Sequence, residues 1–170
     1  MPGLSWSEIS RGAGGLLLLL IGLALLATPA LAQQWDRYDN ARYGYSSAVP
    51  PDYLGHGESD NGDGQVFENT AQAQKLTVWG GPLPDDFDAE VVKRMSYADR
   101  DGWNISYQAT TPQWASFSGL MAGRIFYTRM IALCDRVSYA ALTLTYSTRQ
   151  AADMKPVVER LVESLRANGC

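Results

Sequence analysis

Between Trp103 and Tyr146 the chain carries four apolar-rich runs in succession, separated by turns of only a few residues, and that spacing leaves few ways to fold. Trp103, Ile105, Tyr107 and Ala109 alternate with Asn104, Ser106 and Gln108, the period of a half-buried strand. Thr111-Pro112 turns into Trp114 to Leu120, Ala122-Gly123 into Arg124 to Cys134, and Asp135-Arg136 into Val137 to Tyr146. Connections this short join antiparallel neighbours, so a meander is expected. Arg124 to Cys134 is apolar on both faces, with Ile125, Ile131 and Leu133 one way and Phe126, Met130 and Ala132 the other. It is expected to lie centrally.

Two helices flank these runs. Asp85-Asp86-Phe87-Asp88 places acids where a helix start needs them, against free N–H groups and the positive dipole end. Ala89, Val92, Met95 and Ser96 then recur at helical spacing, predicting a helix with that face down to about Asp99. Near the end, Met154, Val157, Val158, Leu161, Val162 and Leu165 follow the i, i+3, i+4, i+7, i+8, i+11 template. Pro156 fits a first turn and Asn168-Gly169 a stop. Upstream, residues 33–42 read as a polar lead-in arm and Tyr43 to Val49 as a strand stopped by Pro50-Pro51. Residues 52–64 read as a Gly- and acid-rich loop, and Gln65 to Glu68 and Lys75 to Trp79 as two short strands. The fold class is α+β: one antiparallel sheet of about seven strands with helices packed on it, in a single domain over residues 43–170.

The first 32 residues stand apart. Arg11 precedes a run from Leu16 to Ala27 of almost only Leu, Ile, Gly and Ala, then Pro29 and the small-x-small triplet Ala30-Leu31-Ala32. This is the layout of a cleaved signal peptide, residues 1–32. As an uncleaved anchor, the apolar run is short of the roughly 18–20 residues a spanning helix needs. The expectation is export to the periplasm or medium, no stable membrane insertion after cleavage, and 138 residues left to fold. The net charge is −4, with only three lysines, Lys75, Lys93 and Lys155, so nucleic acid and anionic lipid are disfavoured as partners.

Residues able to carry chemistry are few. The single histidine, His56, sits between two glycines with no Gly-x-Ser-x-Gly elbow elsewhere to pair it with. Glu58-Ser59-Asp60-Asn61-Gly62-Asp63-Gly64 resembles a calcium loop but lacks its first Asp and last Glu, and a tight turn explains it equally well. His56, Glu58, Asp60 and Asp63 are nevertheless the candidate ligand loop. Cys134 and Cys170 form a candidate disulfide in an oxidising compartment; a returning strand and helix between them bring the two ends within reach. No catalytic residue, metal ligand set or cofactor is assigned. Trp79, Trp103, Trp114, Phe126, Tyr127 and Tyr139 alternate along strands and are read as core first. The sequon Asn104-Ile105-Ser106 falls inside a strand.

Several stretches resemble a group of small secreted proteins of Gram-negative bacteria: Asn40-Ala41-Arg42-Tyr43-Gly44-Tyr45 with Val49-Pro50-Pro51, Gly57-Glu58-Ser59 with Asn61-Gly62-Asp63-Gly64-Gln65, Leu76-Thr77-Val78-Trp79-Gly80, Gly123-Arg124-Ile125-Phe126-Tyr127 and Pro156-Val157-Val158-Glu159-Arg160. Their element order is similar to the PsbP/DcrB-type fold. The resemblance implies a non-catalytic accessory or binding module and carries no catalytic residues with it.

Two functional classes follow. One is an envelope accessory domain docking on a protein partner through a sheet face or edge, with Ser106, Gln108, Thr143, Thr145 and Arg129, or Arg124, at the contact. The other is a periplasmic small-ligand or cation-binding protein, or an enzyme, using the 52–64 loop with His56.

Overall fold

The structure, a computed structural model, describes residues 34–170; the expected signal peptide lies outside the described residues. Ten strands and two helices follow one another: β1 (Asp36–Asn40), β2 (Tyr45–Val49), β3 (Leu54–Glu58), β4 (Gly64–Asn69), β5 (Gln74–Pro82), α1 (Phe87–Arg100), β6 (Asn104–Thr110), β7 (Trp114–Met121), β8 (Arg124–Ala132), β9 (Ser138–Ser147), α2 (Ala151–Ser164) and β10 (Arg166–Ala167). Seven strands form one sheet in the order β3-β4-β5-β9-β8-β7-β6, antiparallel throughout. The α+β class and the β6-to-β9 meander are as the sequence predicts. The central strand is β9 rather than β8, because the earlier β5 pairs with the free side of β9.

Strand alternation sends two sets of side chains to opposite faces. Leu76, Val78, Leu142, Leu144 and Tyr146 point one way and are sealed by Met154 and Leu161 of α2, by Leu165 just beyond it, and by Tyr38, Tyr45 and Val49. Ala115, Phe117, Phe126, Met130 and Ala141 point the other way and meet Phe87 and Val91 of α1. The helices thus sandwich the sheet but are offset. α1 sits over β6, β7 and β8 and reaches Tyr139 and Ala141 of β9, and α2 over β5, β9 and part of β8.

A second sheet, β1-β2-β10, was not visible in the sequence. The arm read at 33–42 is β1, paired with β2 from Asp36↔Val49 to Asn40↔Tyr45. Only Tyr38 and Asn40 of β1 are buried, so its polar exterior hides the pairing. This sheet rests on β5 where Gly80 lacks a side chain; a Cβ there would lie 2.8 Å from the Tyr43 ring and 2.9 Å from that of Tyr45.

Four further local differences have physical causes. Residues 54–58, read as loop, pair with β4 as an edge strand exposed at every residue, so no burial pattern marks them. α1 buries Phe87, Glu90 and Val91 and leaves Ala89, Val92 and Ser96 exposed, a face rotated by about one residue, ~100°, from the predicted one. Its N-cap is Asp86, whose carboxylate accepts from Ala89 N at 2.8 Å. α2 starts five residues before Pro156, because a capping box between Ser147 and Gln150 nucleates a 3-10 turn that runs into it. At its other end the chain leaves α2 at the extended residue Leu165 and forms β10, so Asn168-Gly169 is not the helix stop.

Candidate interaction surfaces

The offset of the two helices leaves β6, β7 and the adjoining Tyr127 and Arg129 of β8 without a helix over them on the α2-side face. Register places Tyr107, Ser118 and Tyr127 in one row across it, Ser116 and Arg129 in the next, and Trp114 and Ile131 beyond. The Arg129 guanidinium lies over the Trp114 ring at 4.3 Å and donates to Ser116 Oγ at 3.2 Å. Its Nε is buried without an acceptor. Burial pushes the Arg129 pKa down against the opposing influence of Tyr127 and Tyr107; no carboxylate contributes. Tyr107 and Tyr127 stack with centroids 6.4 Å apart and planes 21° apart. Tyr107 is 47 % exposed and Leu120, on the same face, 45 %. An aromatic and cationic patch is thus partly exposed, its half-buried arginine lacking an acid.

The opposite face is crossed by α1, whose two flanks differ in charge. On one flank Glu90, with its side chain 3 % exposed, accepts from Arg94 Nε at 2.7 Å and Lys93 Nζ at 3.2 Å. Burial pushes the Glu90 carboxyl up, but the hydrogen bonds and charges of Arg94 and Lys93 together hold it below the usual range. Arg94 also donates to the Tyr139 hydroxyl. Beside this network a cavity of about 300 Å³ is lined by Trp79, Arg94, Tyr97, Trp103, Thr143 and Thr145. The hydroxyls of Thr128 and Thr143 bond each other across its floor at 2.7 Å. On the other flank, a groove of about 540 Å³ runs between α1 and the edge strand β6, with Ser106 and Gln108 in its wall.

The expected contact set is therefore divided among three places. Ser106 and Gln108 line the groove, and Thr143 and Thr145 line the cavity. Arg129 faces the other side of the sheet, because it pairs with Leu142 and is one position out of phase with Thr143. Arg124 donates to the Ala73 carbonyl at 2.9 Å. Trp114, Tyr107 and Leu120, which complete the Arg129 patch, were not singled out as contacts from sequence. Two features hid them: α2 stops short of this face, and the bulge between Ile105 and Tyr107 turns Tyr107 to the face opposite Ile105, against the simple alternation read for this strand.

In the candidate ligand loop, His56 lies on exposed β3 with Nε2 3.1 Å from Glu68 Oε2. Glu58 turns inward, accepting from the Tyr38 hydroxyl at 2.7 Å and from Asn40 Nδ2 at 2.9 Å. Burial raises the Tyr38 pKa to about 12. Asp63 accepts from Ser59 Oγ at 2.7 Å and Asn61 Nδ2 at 2.9 Å, and Asp60 is exposed. His56 and Asp63 share a cavity of about 190 Å³. Among the described residues, no three His, Cys, Asp or Glu side chains gather as a metal site. Cys134, exposed just beyond β8, is joined to Cys170 in a disulfide with Cα atoms 5.6 Å apart.

No family model matches the sequence, and no curated protein matches it. Solved structures do match the fold. Cyanobacterial PsbP (CyanoP) from Synechocystis superposes with a TM-score of 0.61 at 14 % identity, over 82 % of this chain and 96 % of its own. The Ran-binding protein Mog1p of Saccharomyces cerevisiae gives 0.59 at 9 % identity, over 80 % and 96 %. LpqN of Mycobacterium tuberculosis, involved in cell envelope biogenesis, gives 0.54 at 13 % identity, over 80 % and 91 %. At these identities the likeness is one of fold, and the chain has the PsbP-like fold that its sequence resembles.

Proposed function

We propose that the protein is an exported, non-catalytic accessory domain that docks on a protein partner through the uncovered sheet face, where Arg129 receives a carboxylate of that partner. The observation that carries this reading is Arg129 itself. It is half-buried, stacked on Trp114, short of a hydrogen-bond acceptor at Nε and without a neighbouring acid. Trp, Tyr and Arg at the centre of a surface are the residues that most often dominate binding between proteins. An acid brought to Arg129 would pair with a guanidinium that faces no carboxylate and match its charge. Export rests on residues 1–32, and the Cys134–Cys170 bond fits an oxidising compartment. Of the proteins sharing the fold, one is described as Ran-binding and another as involved in cell envelope biogenesis, roles compatible with a binding module. The alternative, a small-ligand site at the 52–64 loop, is favoured less. Its cavity of about 190 Å³ is below the ~300 Å³ where ligand pockets usually begin.

A photocrosslinking residue in place of Ser118 in the exported full chain tests the reading in cells, with the same residue in place of Glu159 on α2 as control. The expected result is a crosslinked protein specific to position 118 and lost with Arg129→Glu or Arg129→Gln. Truncating a central arginine is expected to cost at least ~2 kcal/mol, about thirtyfold in affinity. Equal crosslinking at both positions, or indifference to both Arg129 variants, would overturn the docking reading. Amino-terminal sequencing of the exported product is expected to start at Gln33.

A further inference from the structure

The other flank of α1 carries an inference independent of Arg129. Asp88, Val92, Met95 and Asp99 follow i, i+4, i+7, i+11 and so form one stripe along the helix. That stripe faces β6: Val92, Met95 and Asp99 line the groove with Ile105 and Gln108, and a further hollow of about 340 Å³ continues it past Asp88 to Thr110 and Pro112. Val92 is 61 % exposed there. The cations of α1 are turned away. Lys93 and Arg94 hold Glu90, and Arg100 lies over the Tyr97 ring at 4.6 Å. No Lys or Arg lines the groove, and neither Asp88 nor Asp99 has a side-chain partner among the described residues.

β6 is a terminal strand of the seven-stranded sheet, so its outer backbone groups are unpaired by any other strand. Exposed edges are normally blunted by lysine, proline or a bulge. Asn104–Thr110 has no Lys, Arg or Pro, and its one register shift lies between Ile105 and Tyr107, leaving Tyr107 to Thr110 regular.

We propose that this groove binds an extended segment of a partner protein, which adds to β6 as an eighth strand and carries Lys or Arg at both ends of an apolar middle. The dimensions set the spacing. Asp88 and Asp99 are about 16 Å apart along the helix at ~1.5 Å per residue. An extended chain covers that in about five residues at ~3.3 Å each. Side chains facing α1 recur every second residue, so the two basic residues lie four or six positions apart, with an apolar residue between them on Val92 and Met95. Backbone pairing to the edge supplies affinity and the alternate side chains supply selection, as in strand addition generally. A second copy of this chain, or its own residues 1–33, are the competing occupants.

The probe is the synthetic peptide Thr-Lys-Thr-Val-Thr-Lys-Thr, fluorescently labelled, with a control peptide bearing Glu for both Lys. Fluorescence anisotropy with the full chain is expected to show saturable binding of the first peptide only. The double variant Asp88→Lys/Asp99→Lys, at two exposed positions, is expected to bind it about tenfold more weakly and to gain binding of the Glu peptide. Arg129→Gln is expected to change neither, which separates this groove from the docking face above. The proposal is overturned if the Lys peptide fails to bind, or if charge reversal leaves both affinities unchanged. It is also overturned if sedimentation shows a dimer broken by Val92→Arg, or if the chain starting at Gln33 binds the peptide while the full chain does not.

Discussion

Replacing Cys134 and Cys170 together by serine gives the most quantitative test of how the domain is held. Their bond closes a loop with a sequence separation of 36, which contains β9, α2 and β10. In the chain-entropy account such a loop removes ~13 cal/mol/K from the unfolded ensemble, or about 3.8 kcal/mol at room temperature. The native state loses little when the bond is absent. Both cysteines are exposed, and the segment before Cys170 is held independently by the β10–β2 pairing and by Asn168 N donating to the Gly44 carbonyl at 2.7 Å. The whole effect therefore falls on the unfolded chain. With an unfolding entropy of ~2.1 cal/mol/K per residue, one kcal/mol shifts the midpoint of a domain this size by about 3.5 °C. The expected loss is thus about 13 °C, read by thermal unfolding followed by circular dichroism. Reductant on the unmutated protein is expected to reproduce the variant's Tm, because the bond is open to solvent. In urea, the denatured state without the bond should be more expanded and the m-value higher. A midpoint lowered by less than about 3 °C, or a reduced protein that matches the oxidised one, would refute the reasoning; the carboxyl end would then not be anchored as the loop argument requires.

Two further outcomes follow from burial and charge. Leu161→Ala empties the centre of the α2 contact, where Leu161 is 1 % exposed among Leu142, Leu144, Met154 and Leu165. It is expected to cost about 2–5 kcal/mol in urea unfolding, against less than ~0.5 kcal/mol for Glu159→Ala on the exposed side of the same helix. Glu90 titrates below its ordinary 4.5 in the folded protein, so its pairing with Arg94 and Lys93 contributes stability that is fully present above pH 4.5 and lost as pH falls through the lower, folded value. Stability measured from pH 6 down to pH 3 should decline less steeply in Glu90→Gln than in the unmutated protein. Parallel curves would show that Glu90 is not the group concerned.

The four-strand meander and the apolar stripe of α2 were legible because each is a local period fixed by burial on one side, whereas the seven strands of the main sheet include β3, read as loop, and exclude β2, which pairs in the smaller sheet. Wherever that period was absent, sequence fell silent. β1 and β3 are held by backbone pairing with mostly exposed side chains, and β3 buries nothing, so neither leaves a pattern. α1 was read a residue out of phase. Ala89 and Val92 look like core, whereas the buried ridge runs through Phe87, Val91 and the paired acid Glu90. Burial of Glu90 becomes intelligible only once Arg94 is known to face it across one turn of helix.

The candidate sites divide along the same line. Sequence alone determined the apolar stripe of the closing helix and the Asp88-Val92-Met95-Asp99 spacing, because each depends on neighbours three or four residues apart; simple alternation failed in β6, where a bulge between Ile105 and Tyr107 turns Tyr107 and Ala109 to the face opposite Ile105. The tertiary structure decided where β5 joins β9, and that α1 and α2 cover opposite faces, with α2 stopping short of β6 and β7. Those choices depend on contacts between residues far apart in the chain. They leave Arg129 and Trp114 only half-buried and turn an exposed valine into the wall of a groove.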